Sequence, residues 1–215
     1  MSIAVKICGL TDPASVAAAV SAGTRYVGFV FYPASPRHIS VAQAAALKAT
    51  LPTSVASVSV LVDPDDALLA SIERELRPDY LQLHGKETPE RLKQIRTLCP
   101  SSKIIKALSV RTGDDIAQAG RYIEACDMLL FDAKPPQLAG MLPGGNGLSF
   151  DWTLLNNRTF ARPWFLSGGL NGENVADAIR HSGATMVDVS SGVEQSPGVK
   201  DAQLITQFIA AAHAP

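Results

Sequence analysis

Eight short apolar runs, each followed by a stretch that reads as a helix or a long connection, constrain this chain more than any other feature of its 215 residues. The first is Val5-Lys6-Ile7-Cys8. Period-two alternation places Ala4, Lys6 and Cys8 on one face of it and Val5 and Ile7 on the other. Gly9 then allows a sharp turn, and Asp12-Pro13 supplies a helix N-cap and a first helical residue. The same rhythm returns at Arg25–Phe31, Val55–Val62, Asp79–His84, Lys103–Leu108, Asp127–Asp132, Trp164–Ser167 and Thr185–Ser190. Helices are expected over Ala14–Ala22, from Ser40 to about Leu51, from Asp63-Pro64-Asp65, from Thr88-Pro89-Glu90, and over Gly113–Ala125, Asn171–His181 and Asp201–Ala212. Consecutive parallel strands need such crossovers. The predicted fold class is α/β, a (β/α)8 TIM barrel forming one domain over residues 1–215. It must be a trimmed barrel, since ~250 residues are typical. A doubly wound open sheet is the competitor, but Cys8-Gly9-Leu10-Thr11 is not the glycine-rich fingerprint that fold carries after its first strand.

Composition narrows the function classes. With 47% hydrophobic residues, 18% charged residues and a formal net charge of -1, nothing points to nucleic acid or to an anionic membrane. No run of ~18 apolar residues occurs, and Lys6 and Cys8 stand where a signal peptide would need an apolar core, so a cytoplasmic protein is expected. The three cysteines, Cys8, Cys99 and Cys126, are odd in number, widely spaced and without a CxxC pair, which argues against both a disulfide framework and a zinc site. Cys99 and Cys126 read as small core hydrophobes.

In a barrel all strand ends point to one face, where catalytic groups from several strands meet. Here those ends and their loops supply Cys8, Arg37, His84, Asp132, Gly168-Gly169 and Ser190-Ser191-Gly192. A thiol and a carboxyl can serve as base and acid, and an arginine can hold an anion. The two glycine turns follow strands seven and eight, the usual place of a phosphate site, where exposed backbone N–H groups and serine hydroxyls favour an anion. The connection from Ala133 to Phe150, with three prolines and four glycines, breaks the tight rhythm and reads as a functional loop. His38, His181 and His213 read as solvated.

Seven fragments in order, Lys6-Ile7-Cys8-Gly9, Ser35-Pro36-Arg37, Gln82-Leu83-His84-Gly85, Leu130-Phe131-Asp132, Phe150-Asp151-Trp152, Ser167-Gly168-Gly169-Leu170-Asn171 and Asp188-Val189-Ser190-Ser191-Gly192-Val193-Glu194, together resemble the phosphoribosylanthranilate isomerase family of tryptophan biosynthesis. The resemblance spans the whole chain. It implies an Amadori rearrangement of N-(5-phosphoribosyl)anthranilate to 1-(2-carboxyphenylamino)-1-deoxyribulose 5-phosphate, with no metal or organic cofactor, and with a small-molecule substrate as the partner. It further implies Cys8 as general base and Asp132 as general acid, Arg37 as a two-pronged partner of the anthranilate carboxylate, and Gly168, Gly169, Ser190, Ser191 and Gly192 around the phosphate. His84 reads either as a donor to substrate or as a structural group, and Asp188 as an inward carboxylate beside the substrate. Lys6 could add a positive field to Cys8, but strand eight neighbours strand one in a closed barrel, so a buried Lys6–Asp188 ion pair is the stronger expectation. The chain is expected to be a monomer or a homodimer.

Two departures from the family pattern stand out. Gly144-Gly145-Asn146-Gly147 replaces a run that usually carries Thr or Ser, which leaves open the side chain that would cover the substrate, and Gly172 stands where proline often follows Asn171. Among alternatives, another phosphosugar barrel would want a Schiff-base lysine, for which only Lys106 could be argued, or a metal set. A non-catalytic phosphosugar-binding barrel would not need both Cys8 and Asp132.

Overall fold

The computed structural model describes residues 3–133 and 149–214. Strands β1 (Ala4–Cys8), β2 (Tyr26–Phe31), β3 (Ala56–Leu61), β4 (Tyr80–Leu83), β5 (Lys103–Val110), β6 (Met128–Ala133), β7 (Trp164–Leu166) and β8 (Met186–Val189) pair in parallel in chain order, and β8 closes on β1. The expected (β/α)8 barrel is therefore present. Helices α1 (Pro13–Ser21), α2 (Val41–Lys48), α3 (Asp66–Ser71), α4 (Pro89–Leu98) and α5 (Gly113–Ala117) follow the first five strands; α6 (Val175–Ser182) and α7 (Ala202–Ala212) follow β7 and β8.

Local chemistry sets the helix starts. Asp12 accepts from the Ser15 amide at 2.9 Å, Ser40 and Gln43 form a reciprocal capping box, and Thr88 accepts from the Arg91 amide at 3.2 Å, so orphan N–H groups are satisfied at each first turn. Two helices are shorter than expected. After Ala117 the chain tightens into a 3-10 turn, Gln118–Arg121, where Gly120 weakens any continuation. Residues 171–174 are not helical because the Asn171 side chain accepts from the Glu173 and Asn174 amides at 2.9 and 3.1 Å, which competes with the helical backbone pattern. Between β6 and β7 the described residues hold a 3-10 turn, Trp152–Leu155. An antiparallel ribbon of β9 (Glu194–Ser196) and β10 (Val199–Lys200) follows β8, and sequence reading did not anticipate it.

The apolar residues divide into two layers. Val5, Ile7, Phe29, Leu61, Leu81, Ile104 and Phe131 point outward and pack under the helices. Val58, Val60, Ile105, Ala107, Leu130 and Phe165 fill the barrel. Tyr26 packs edge-on against Tyr80 and Phe165, at 5.8 and 5.1 Å between ring centroids; because Tyr26 and Tyr80 open their strands, this cluster lies toward the N-terminal end and leaves the C-terminal mouth for polar groups. Cys99 and Cys126 are buried, and burial pushes each thiol up to about 11, as befits inert core cysteines.

Candidate active site

At the C-terminal mouth lies an open pocket. Its lining draws on β1 for Cys8, the loop after β2 for Arg37, β4 for Gln82 and His84, β6 for Asp132, the turn after β7 for Ser167, Gly168 and Gly169, and β8 with its loop for Asp188, Ser190 and Ser191. Gly192 does not line it. A Cβ there would stand 1.9 Å from the Leu170 carbonyl oxygen, so this glycine lets the two turns pack against each other. Asn146, the other expected contributor, lies outside the described residues.

Around Cys8 the cavity wall is charged and buried. Lys6, fully buried, donates to Asp188 Oδ1 at 2.9 Å, the pair expected from strand closure, and the two residues are in register on β1 and β8. Burial works against the Lys6 charge, but Asp188 and Cys8 outweigh it and hold the ammonium above its ordinary pKa. Burial pushes the Cys8 thiol up and Asp188 adds to this, while Lys6 and Lys200 oppose it. The two cations beside the sulfur favour its thiolate, the form that can take up a proton.

Gly28, opposite Cys8 on β2, makes this crowding possible. A Cβ there would sit 3.0 Å from Cys8 Sγ, 3.1 Å from Cys8 Cα and 3.3 Å from Lys6 Nζ. A glycine inside an apolar strand is itself a signal of close approach. Gly28→Ala is expected to displace the thiol by a few tenths of an ångström and to lower kcat roughly tenfold or more, with unchanged far-ultraviolet circular dichroism. Unchanged turnover would show that the thiol tolerates the shift.

Arg37 is buried, and its two-pronged grip is made with Glu194: Nε to Oε1 at 2.7 Å and Nη2 to Oε2 at 2.8 Å. Gly9 creates the room, since a Cβ at that positive-φ residue would stand 2.5 Å from Arg37 Cδ. Lys200, delivered by β10, also donates to Glu194 Oε1 at 2.6 Å and to the Ser190 carbonyl at 2.9 Å. Burial opposes ionisation of Glu194, but Arg37 and Lys200 overcome it and hold the carboxyl below its usual range. A carboxyl depressed in the fold stabilises above its unfolded pKa of about 4.3 and loses that contribution as pH falls through the folded value. The stability gap between the parent protein and Glu194→Gln should thus be widest near pH 7 and close below about pH 4, as read by urea denaturation; a gap independent of pH would exclude this ionic role.

Across the cavity, His84 Nε2 lies 3.2 Å from Asp132 Oδ2, and Gln82 Nε2 lies 3.2 Å from His84 Nδ1. Asp132 Oδ1 accepts from the Ala133 amide at 3.0 Å. Gly168, at positive φ, brings the turn after β7 against this carboxylate: a Cβ there would be 3.2 Å from Oδ1 and 2.6 Å from the Ala133 nitrogen. Lys106 is absent from the cavity lining; it points outward to Glu87 Oε2 at 2.7 Å and lies over the Tyr122 ring, which removes it as a Schiff-base candidate. Among the described residues no cluster of three or more His, Cys, Asp or Glu could hold a metal ion, and no helix is long and apolar enough to cross a membrane.

Sequence reading missed Gly28, Glu194, Lys200 and Gln82 as parts of this site. Gln82 and Glu194 stood inside recognisable fragments without an assigned role, and Pro197-Gly198 before Lys200 is a turn signal that could have located the ribbon.

Known proteins agree with this geometry. The chain is similar to N-(5'-phosphoribosyl)anthranilate isomerase of Rhodospirillum centenum, 52% identical over 214 residues that cover all of both chains. It superposes on the crystal structure of phosphoribosyl anthranilate isomerase from Thermotoga maritima with a TM-score of 0.86 at 38% identity, covering 98% of each chain. A phosphoribosyl anthranilate isomerase in complex with reduced 1-(o-carboxyphenylamino)-1-deoxyribulose 5-phosphate matches with a TM-score of 0.82 at 36% identity, again over 98% of each chain. The family model described as N-(5'phosphoribosyl)anthranilate (PRA) isomerase matches residues 5–211, and the chain belongs to that family.

Proposed function

We infer that this chain isomerises N-(5-phosphoribosyl)anthranilate to 1-(2-carboxyphenylamino)-1-deoxyribulose 5-phosphate in tryptophan biosynthesis, with Asp132 as general acid and Cys8 as general base. The observation that carries the residue roles is the convergence of Cys8 and Asp132, from the ends of β1 and β6, on one cavity whose rim holds the glycine turns after β7 and β8. In the first step Asp132 delivers a proton to the furanose ring oxygen as the C1′–O bond opens to a Schiff base. Cys8, as thiolate, then removes the C2′ proton to give an enolamine, which tautomerises to the aminoketose. Each proton transfer by a positioned group is worth roughly 10²–10⁴-fold.

Binding follows from the same geometry. Backbone N–H groups at Gly168 and Gly169 and the hydroxyl of Ser191 suit a phosphate; the Ser190 hydroxyl donates to the Cys8 carbonyl at 3.1 Å and joins them once it turns. Arg37 answers the anthranilate carboxylate, its guanidinium orientation fixed by Glu194, and Asp188 stands beside the reacting carbons. The reaction needs no cofactor in this reading, and the protein works in the cytoplasm.

The test uses the fluorescence of the substrate: phosphoribosylanthranilate is generated in situ and its decay followed after adding purified protein with EDTA. A protein-dependent decay is expected. No decay above the spontaneous background, with a phosphosugar still bound, would replace this reading by a binding barrel.

A further inference from the structure

The hydrogen bonds around Asp132 are not those of a lone acid. As placed, the Gln82 amide nitrogen faces His84 Nδ1 at 3.2 Å. An amide N–H2 can only donate, so Nδ1 must accept and the imidazole proton must sit on Nε2, aimed at Asp132 Oδ2. In this state Oδ2 accepts from His84 and has no proton to give. Meanwhile Gln82 Oε1 is buried with no hydrogen-bond partner among the described residues, which is costly for a carbonyl oxygen.

Both observations have one explanation. When the pair takes up one proton, that proton lies between Asp132 Oδ2 and His84 Nε2, and Nδ1 must then carry a hydrogen. A donor on Nδ1 would face a donor on Gln82 unless the amide turns over, bringing Oε1 to Nδ1. Each orientation leaves one half of the amide unpaired, so neither is locked. We propose that Asp132 and His84 hold the catalytic proton as a dyad, and that Gln82 is a positioning residue whose amide turns over to accept His84 Nδ1–H whenever the dyad is loaded.

One proton enters from solvent; its delivery from Asp132 Oδ2 to the furanose oxygen leaves Asp132 ionised and His84 neutral with its hydrogen on Nδ1, held by Gln82 Oε1, and exchange of that hydrogen to Nε2 through solvent restores the arrangement seen here. This rests on Asp132 being the general acid. The other titratable or charged groups facing the dyad are Cys8 from β1, Tyr32 and Arg37 from the loop after β2, and Asp188 from β8. Asp63 and the Glu87–Lys106 pair lie beyond His84, around Gly85. On β3 and β5, Val60 and Ser109 are uncharged neighbours, as is Ser167 after β7.

The test reads the histidine directly. In full-length protein with 15N-labelled histidine, His84 is expected to change from the Nε2–H form to a form protonated on Nδ1 as pH falls, without any substrate present. In Gln82→Met, which removes the hydrogen-bond partner of Nδ1 from both protonation states at once, this change, and with it the limb of the kcat/KM–pH profile that reports the acid, should stay in place while kcat falls. In Gln82→Glu, an obligatory acceptor while ionised, both should move to higher pH. An Nδ1 that is protonated at every pH, or a limb that stays in place in Gln82→Glu as well, would overturn the dyad. If Asp132→Asn instead retains turnover, the acid assignment fails, and the proposal that this dyad carries the catalytic proton fails with it, even where the His84 spectra behave as expected. If Asp132→Asn is inactive and the spectra do not move, only the dyad fails.

Discussion

Replacing Asp132 by asparagine is expected to lower kcat by roughly 10²–10⁴ while leaving the fold in place. Asparagine keeps the size of the side chain and can still accept from the Ala133 amide through its one oxygen, while its amide N–H2 faces His84 Nε2 where Oδ2 stood, so the site loses its acid with the backbone contact kept. The residue sits at the end of β6 rather than in the packed middle of the barrel, where Leu130 and Phe165 do the filling. Cys8→Ala should cost a comparable amount by removing the base. Steady-state turnover together with thermal melting separates the two possibilities: near-full turnover in either variant would end its assigned role, and a collapsed melting temperature would place the residue in the structural core instead.

The second large effect concerns stability. Lys6→Met removes the cation from a fully buried pair and leaves Asp188 ionised with its 2.9 Å partner gone. Truncating one partner of such a pair costs about 3–5 kcal/mol, because the remaining charge keeps its full desolvation penalty, so the melting temperature should drop on the order of 10 °C. Lys6 has a raised pKa in the fold, so the stability the pair supplies is complete below the unfolded lysine value of about 10.4 and is lost only as pH rises through the folded one. The deficit of Lys6→Met should therefore be constant across neutral pH. The double variant Lys6→Met with Asp188→Leu is expected to recover most of the loss. A single variant as stable as the parent would show that Asp188 takes up a proton at little cost.

Several parts of this architecture are legible in the chain itself. The alternation of apolar runs with capped helices gives the barrel because strand and helix periods and N-cap chemistry are local properties. Asp12, Ser40 and Thr88 each cap the helix they precede. The expectation that Lys6 meets Asp188 also comes from sequence, once closure makes β8 the neighbour of β1. Where local competition decides, the reading is less secure: Asn171 looks like a helix start, yet its side chain captures two amides and delays the helix to Val175.

The chain carries in its local patterns the order of elements, the mouth of the barrel as the place where Cys8, Arg37, His84 and Asp132 gather, and the glycine turns that rim it. These follow from periodicity, capping and strand direction, which short segments carry within themselves. The partners emerge only when the sheet closes: Glu194 bridging Arg37 and Lys200, Gly28 yielding its space to Cys8 and Lys6, Lys106 turned away to Glu87, and Gln82 set behind His84. All but the last join residues from different elements, in several cases far apart in the chain. Their pairing depends on strand register and on the space left by missing side chains, quantities that exist only when the sheet has closed.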